Sequence, residues 1–137
     1  MTNYDRTADF GRKPARLRAL DEDHLRAMTL GDQSLEQEVL QVFSRQITLM
    51  LGRIARSGPA HAAAAAHTLK GSALGLGAWR VAEAAERVEQ AATGFGNLDE
   101  AVAELDVAAT EVRGVIEARA HDTASAPPHW HSRIRIA

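Results

Sequence analysis

The stretch AHTLKGSALGLGA, residues 66–78, places an imidazole, an ammonium group and three glycines inside a pattern otherwise typical of an alanine-rich helix. At about 100° per residue, His67, Lys70 and Gly71 share one face of that helix. Imidazole is a nucleophile near neutral pH, and a neighbouring ammonium neutralises a tetrahedral anion such as a phosphoryl group. This face therefore carries the groups needed to accept a phosphoryl group.

Two details of composition favour chemistry at this face. Glycine inside a helix costs about 0.5–1 kcal/mol relative to alanine, so Gly71 needs a reason other than stability. The chain has fourteen arginines and two lysines, and Lys70 is the only lysine in residues 21–119. A compact, flexible point charge differs from a planar guanidinium, which indicates a specific need for lysine at this position.

The bulk composition excludes several classes of function. The chain has 137 residues, no cysteine and only 4% aromatic residues, which favours one domain of close-packed helices and excludes disulfides and thiol catalysis. No apolar run is long enough for a membrane helix, and no apolar signal-peptide core is present near the N-terminus, so we expect a cytoplasmic protein with no membrane partner. The formal charge is +3 for residues 1–20, -6 for 21–119 and +1 for 120–137. An acidic middle argues against a nucleic acid partner.

The elements that must position this face are helical. Between residues 20 and 119 apolar positions recur at helical spacing in five segments, the first running from Asp21 to about Thr29. We expect an all-α fold, an up-down antiparallel four-helix bundle with a short additional N-terminal helix. Residues 1–19 are predicted to be a flexible basic arm, 20–119 the bundle, and 120–137 a flexible C-terminal tail.

The predicted core is one apolar stripe on each long helix, and Gly77 and Asn97 are expected to end the second and cap the fourth. The stripes are Leu35, Val39, Val42, Phe43, Ile47, Met50 and Ile54; then Ala62, Ala66, Leu69, Ala73 and Leu76; then Val81, Ala85, Val88 and Ala92; and last Leu98, Val102, Leu105, Ala109, Val112 and Ile116.

The run HTLKGS at residues 67–72, followed by LGA at 76–78, resembles the signature of histidine-containing phosphotransfer (HPt) domains. The resemblance covers about residues 20–119. It implies a four-helix bundle that carries a phosphoryl group on histidine between receiver-domain aspartates in two-component phosphorelays. It also implies a phosphocarrier rather than an enzyme, without a nucleotide-binding site, cofactor or metal of its own. The expected partners are response-regulator receiver domains, which hold Mg²⁺, and a histidine kinase, which in some systems is hybrid; the chain itself is expected to be a monomer.

The resemblance assigns roles to individual residues. His67 would be the phosphoacceptor, Lys70 the cation that stabilises the phosphate, and Gly71 a position cleared of side-chain atoms. Ser72 matches a serine of the motif and would support the helix or approach the phosphate. Glu89, 22 positions after the histidine, matches a polar position on the following helix and would orient the imidazole, leaving Nε2 free to attack.

Other functions and simpler explanations stay open. The chain could be a non-phosphorylated adaptor that binds a receiver or kinase, or the phosphoacceptor domain of a larger histidine kinase. Kinase dimerisation domains, however, carry an acidic residue and a proline where Thr68 and Ser72 stand here. A simpler explanation of Glu89 is a charged helix face that it forms with Glu83, Glu86, Arg80 and Arg87. Among the remaining histidines, His61 is expected on the surface, and His24 and His121 are expected to have no partner. His129 and His131 flank Trp130 in the predicted tail without a third metal ligand.

Overall fold

The computed structural model describes residues 13–124, which form five α-helices and one short 3-10 turn. After the turn at Ala15–Leu17 come α1 (Glu22–Met28), α2 (Gln33–Arg56), α3 (Pro59–Leu76), α4 (Trp79–Ala92) and α5 (Leu98–Ala124). Within the described residues there is no strand, so the predicted all-α class is confirmed. Residues 1–12 and 125–137, most of the two predicted tails, lie outside the described part of the chain.

The four long helices form one bundle. Each packs against the next along the chain, α2 also packs against α5, and α1 packs against α3. Because the connections between the long helices are short, neighbouring helices run antiparallel. The last helix continues to Ala124, five residues beyond the boundary at 119 expected from the sequence.

Three of the five helices, α1, α2 and α5, begin at side chains that satisfy free backbone donors. Asp21 accepts a hydrogen bond from the His24 amide, and Asp32 and Asn97 accept the equivalent bonds at the start of α2 and α5. At the end of α3, Gly77 adopts a φ of 91°, the left-handed conformation that favours glycine. The predicted helix boundaries at Asp21, Gly77 and Asn97 therefore agree with the structure.

The core matches the predicted stripe in α3, where all five residues are buried, and differs most in α2. In α2 the buried positions are Glu36, Leu40, Phe43, Ile47, Met50 and Ile54. The prediction that Leu35 and Val42 face the core is wrong, because both are exposed, whereas Val39 is half-buried and packs against the core. Leu98 and Val102 are likewise half-buried and pack against the core, and Ala92 is half-buried. No helix within residues 13–124 is both long and apolar enough to cross a membrane.

Candidate functional site

His67 lies midway along α3, on the side that faces away from the core. Its neighbours Ala66 and Leu69 are fully buried, whereas the His67 side chain is 66% exposed. A quarter turn separates His67 from the buried face, because each residue advances the helix by about 100°. The packing of α3 therefore fixes the backbone beneath the imidazole and leaves most of the ring in solvent.

The next helix contributes a carboxylate to the same ring. Glu89 of α4 lies alongside because α3 and α4 are antiparallel neighbours, and its Oε2 is 2.8 Å from His67 Nδ1. When Nδ1 carries the proton, it donates this hydrogen bond, and the lone pair is then on Nε2. The contact holds the ring in one orientation, in which Nε2 is the nitrogen that carries the lone pair.

Lys70 contacts the other oxygen of the same carboxylate. Its Nζ lies 3.1 Å from Glu89 Oε1, and both side chains are mostly shielded from solvent. The geometry at Oε1 is that of an ion pair rather than of an aligned hydrogen bond. Sequence reasoning assigned Lys70 to the phosphate alone and missed this ion pair. The sequence signal for this ion pair is the spacing of three residues between His67 and Lys70. Residues three apart lie on the same face of a helix, so a carboxylate that contacts His67 is also close to Lys70.

The charges around Glu89 keep it ionised. Partial burial acts to raise the pKa of Glu89, but the contacts with Lys70 and the hydrogen bond with His67 outweigh it. The net effect holds the pKa of this carboxyl below its usual range. Glu89 is therefore a carboxylate near neutral pH, available to accept the Nδ1 proton and to neutralise positive charge on the ring.

Gly71 leaves open space one turn beyond His67. A Cβ built at Gly71 would have no atom within 4 Å, so nothing in the chain itself requires glycine there. A Cβ built at Gly75, one further turn along the helix, would likewise have no atom within 4 Å. Ser72 is half-buried, and within the described residues no hydrogen bond joins its hydroxyl to His67, Lys70 or Glu89. The structure brings together four of the five predicted site residues and leaves Ser72 outside the cluster.

The helix α1 packs against the end of α3 through a cluster that sequence reasoning missed. His24 Nε2 lies 3.2 Å from the Gly75 carbonyl oxygen, and its ring makes an edge contact with Trp79. The Trp79 indole donates to Asp21 Oδ2 at 3.0 Å, and the Asp21 amide donates to the Gly77 carbonyl. The prediction that His24 lacks a partner is wrong, and His121 has an interaction as well. This cluster fixes the C-terminal end of the helix that carries His67.

No group of three or more potential metal ligands occurs among residues 13–124. The pair His129 and His131 lies outside the described residues. His61 is exposed on α3, six residues before His67.

Comparison with known proteins gives one match. Residues 37–122 match the Hpt domain family, and these residues include the cluster of His67, Lys70, Gly71 and Glu89. No curated protein and no solved structure shows significant similarity to the chain.

Proposed function

The chain belongs to the Hpt domain family, the phosphotransfer modules of two-component signalling, and we propose that it carries the phosphoryl group on His67. In this proposal His67 receives the group from the aspartyl phosphate of one receiver domain and passes it to the aspartate of another. The chain acts as a phosphocarrier, and the receiver supplies the acidic cluster and its Mg²⁺.

One observation carries the assignment to His67. The ring is tied to Glu89 through Nδ1 at 2.8 Å while the side chain remains 66% exposed. A nucleophile that must meet an aspartate in another protein needs exposure, and a defined tautomer keeps its reactive nitrogen unprotonated. His61, on the same helix, is exposed but has no such carboxylate partner in the described residues.

The transfer step forms one bond and breaks one. The lone pair of His67 Nε2 attacks phosphorus, the N–P bond forms, and the bond from phosphorus to the aspartyl oxygen breaks, releasing a carboxylate in the receiver. Because Nδ1 retains its proton, the imidazole gains positive charge as the bond forms. The carboxylate of Glu89 lies beside that proton and stabilises the charge. The reverse sequence returns the phosphoryl group to a second receiver.

Lys70 and Gly71 support the same step in different ways. The Lys70 ammonium has three donors, and its ion pair with Glu89 leaves donors for the phosphoryl oxygens. Gly71 has no side chain to occupy the space beside the ring, so the receiver's reactive loop can approach. We propose Ser72 only as a support of the helix, because its hydroxyl has no hydrogen bond to the cluster.

The direct test is transfer of labelled phosphate. Receiver domains from the same genome are phosphorylated with radiolabelled acetyl phosphate and mixed with the chain. We expect label on the chain that is lost in acid and kept in base. His67→Gln is expected to abolish the label, and His61→Gln, a matched change on the same helix, to retain it. Label that persists in His67→Gln contradicts the proposal.

A second variant tests the role of Glu89. Glu89→Gln keeps the side-chain shape but removes the negative charge that stabilises the ring, so we expect transfer to slow by about 10- to 100-fold. The free energy of unfolding of Glu89→Gln should stay close to that of the parent, so that the slower transfer does not come from loss of the fold. Binding of a receiver by the parent chain without any transfer would favour the adaptor function, and labelling by ATP alone would indicate kinase activity.

A further inference from the structure

The outer face of α2 carries three exposed apolar side chains at regular spacing. Leu35, Val42 and Leu49 follow one another at intervals of seven residues, and their exposed fractions are 40%, 55% and 49%. Seven residues make nearly two turns, so the three side chains form one straight stripe along the helix. We call these three residues the α2 stripe. It is separate from the buried face of α2, which packs against α3 and α5.

The charges that border the α2 stripe have no partners within the described residues. Glu38 and Arg45 are both exposed, and neither forms an ion pair there. Between α4 and α5, in contrast, Arg80 pairs with Glu111 at 3.0 Å and Arg87 with Glu104 at 2.7 Å. The exposed charges of α4 and α5 therefore pair with each other. On α2, Glu38 comes before Val42, the middle residue of the stripe, and Arg45 comes after it.

This pattern is complementary to itself when two α2 helices run antiparallel. With Val42 opposite Val42 of a second copy, Leu35 lies opposite Leu49 of that copy, and Leu49 opposite Leu35. Glu38 then lies one residue position, about 1.5 Å along the axis, from Arg45 of the second copy. Glu38 and Arg45 are seven residues apart, so they border the same side of the stripe in each copy. A two-fold axis normal to the plane of the two helices keeps that side, so Glu38 of one copy and Arg45 of the other lie on the same side of the contact. We propose that two copies of this chain associate through an antiparallel pair of α2 helices.

The proposed contact leaves the phosphotransfer site accessible. His67 lies on the side of α3 that faces α4, as its hydrogen bond with Glu89 requires, whereas the α2 stripe lies on α2, outside the face that packs against α3 and α5. One helix from each copy covers less area than a standard interface of about 1,600 Å², so the dimer is weak and forms as concentration rises. It differs from the monomer expected from the sequence, in which Leu35 and Val42 were assigned to the core.

Cysteine crosslinking tests the geometry, because the chain has no cysteine of its own. Val42→Cys places one thiol of each copy at the two-fold axis, whereas Leu35→Cys places the two thiols at opposite ends of the contact. Val107→Cys is the matched control, since Val107 is 57% exposed on α5. With diamide as oxidant, we expect Val42→Cys to form disulfide dimers about tenfold faster than either other variant. Equal rates for Val42→Cys and Val107→Cys, or for Val42→Cys and Leu35→Cys, overturn the antiparallel pair.

Sedimentation of the full chain tests the association without an oxidant. Val42→Glu brings two carboxylates together at the axis and is expected to raise the dimer dissociation constant at least about tenfold, while Val107→Glu leaves it unchanged. Glu38→Arg and Arg45→Glu should each weaken the dimer, and the double variant should restore it. A parent chain that sediments as a monomer at the highest concentrations overturns the proposal. If Val42→Glu then also slows transfer from a receiver, the α2 stripe is part of the receiver's binding surface instead.

Discussion

Gly71 lies within α3 and Gly77 caps the end of that helix six residues later, and the structure accounts for only one of these two glycines. Gly77 has a φ of 91°, and a Cβ there would meet the Asp21 carbonyl oxygen and the His24 Cβ at 3.1 Å. Gly71 lies in regular helix, and a Cβ there would meet nothing within 4 Å. The fold requires Gly77, whereas Gly71 lowers helix stability without any gain inside the chain.

This difference separates what holds the molecule together from what it presents to a partner. Around Gly77 the backbone and side chains of α1, α3 and α4 approach closely. Around Gly71 the surface is open, and the imidazole of His67 stands one turn away. A glycine without internal contacts beside a reactive group indicates that the space belongs to another molecule.

The largest expected effect is on the glycine that the fold requires. Gly77→Ala forces a Cβ into the left-handed conformation and against Asp21 and His24. We expect the free energy of unfolding to fall by about 2–4 kcal/mol, from backbone strain and steric overlap together. Urea denaturation measures this change. Gly75→Ala is the matched control on the same helix, and an equal loss in both variants would contradict the distinction.

Gly71→Ala should have opposite effects on stability and on transfer. The free energy of unfolding is expected to rise by about 0.5–1 kcal/mol, because alanine is the better helix former and meets no atom. Transfer to His67 should slow by roughly tenfold, because the new methyl group narrows the space that the receiver must enter. Urea denaturation and the labelled-phosphate assay measure the two quantities.

Gly75→Ala is again the control for this variant. It should stabilise the helix by a similar amount and slow transfer less, since Gly75 is about 12 Å along the axis from His67 and Gly71 about 6 Å. Transfer at the parent rate in Gly71→Ala would remove Gly71 from the site.

The packing of α1 against the end of α3 and the start of α4 gives a smaller effect. Trp79→Phe removes the hydrogen bond of 3.0 Å to Asp21 and leaves one carboxylate oxygen without that donor. We expect a loss of about 1 kcal/mol in the free energy of unfolding, measured in urea, with transfer unchanged. Asp23→Asn, an exposed change on the same short helix, should alter stability by less than about 0.5 kcal/mol. A large loss of transfer in Trp79→Phe would show that the two regions are coupled.

Local signals in the sequence predict most of the helix boundaries and the reactive face. Asp21 and Asn97 have side chains that accept backbone hydrogen bonds, and Gly77 is the residue that a left-handed helix end favours, so these boundaries follow from chemistry within a few residues. The exposure of His67 follows from its place directly after Ala66, because Ala66 faces the core and the next residue of a helix is rotated by about 100° from it. The proximity of Glu89 came from the family spacing, and the antiparallel neighbours α3 and α4 are its physical basis.

The parts that sequence reasoning missed depend on tertiary packing. The helix α2 carries two apolar stripes, and periodicity alone does not say which one the other helices cover. Glu36 is buried because Arg119 lies 2.7 Å from one of its oxygens, a contact across 83 residues. The partners of His24 likewise come from the close approach of α1 to Gly77. Such contacts have no local pattern that would predict them.

The smallest expected effect comes from acid, and it also distinguishes the two regions. Asp21 lies beside Gly77 and Glu89 beside His67. The hydrogen bond from Trp79 lowers the pKa of Asp21 against the effect of burial. At Glu89 burial raises the pKa, but the contacts with Lys70 and His67 outweigh it and the net pKa is lowered.

Each carboxyl therefore adds stability that is fully present above the unfolded-state pKa of about 4 and is lost as the pH falls through the lower folded-state pKa. The difference in free energy of unfolding between the parent and Asp21→Asn, or between the parent and Glu89→Gln, should shrink as the pH is lowered below about 4. Urea denaturation at a series of pH values measures this, with Glu117→Gln, an exposed change on α5, as the control. At neutral pH only Glu89→Gln should slow transfer, because only that carboxylate contacts the imidazole. If Asp21→Asn slowed phosphoryl transfer as much as Glu89→Gln, the region around Gly77 would not be separate from the reactive region around His67.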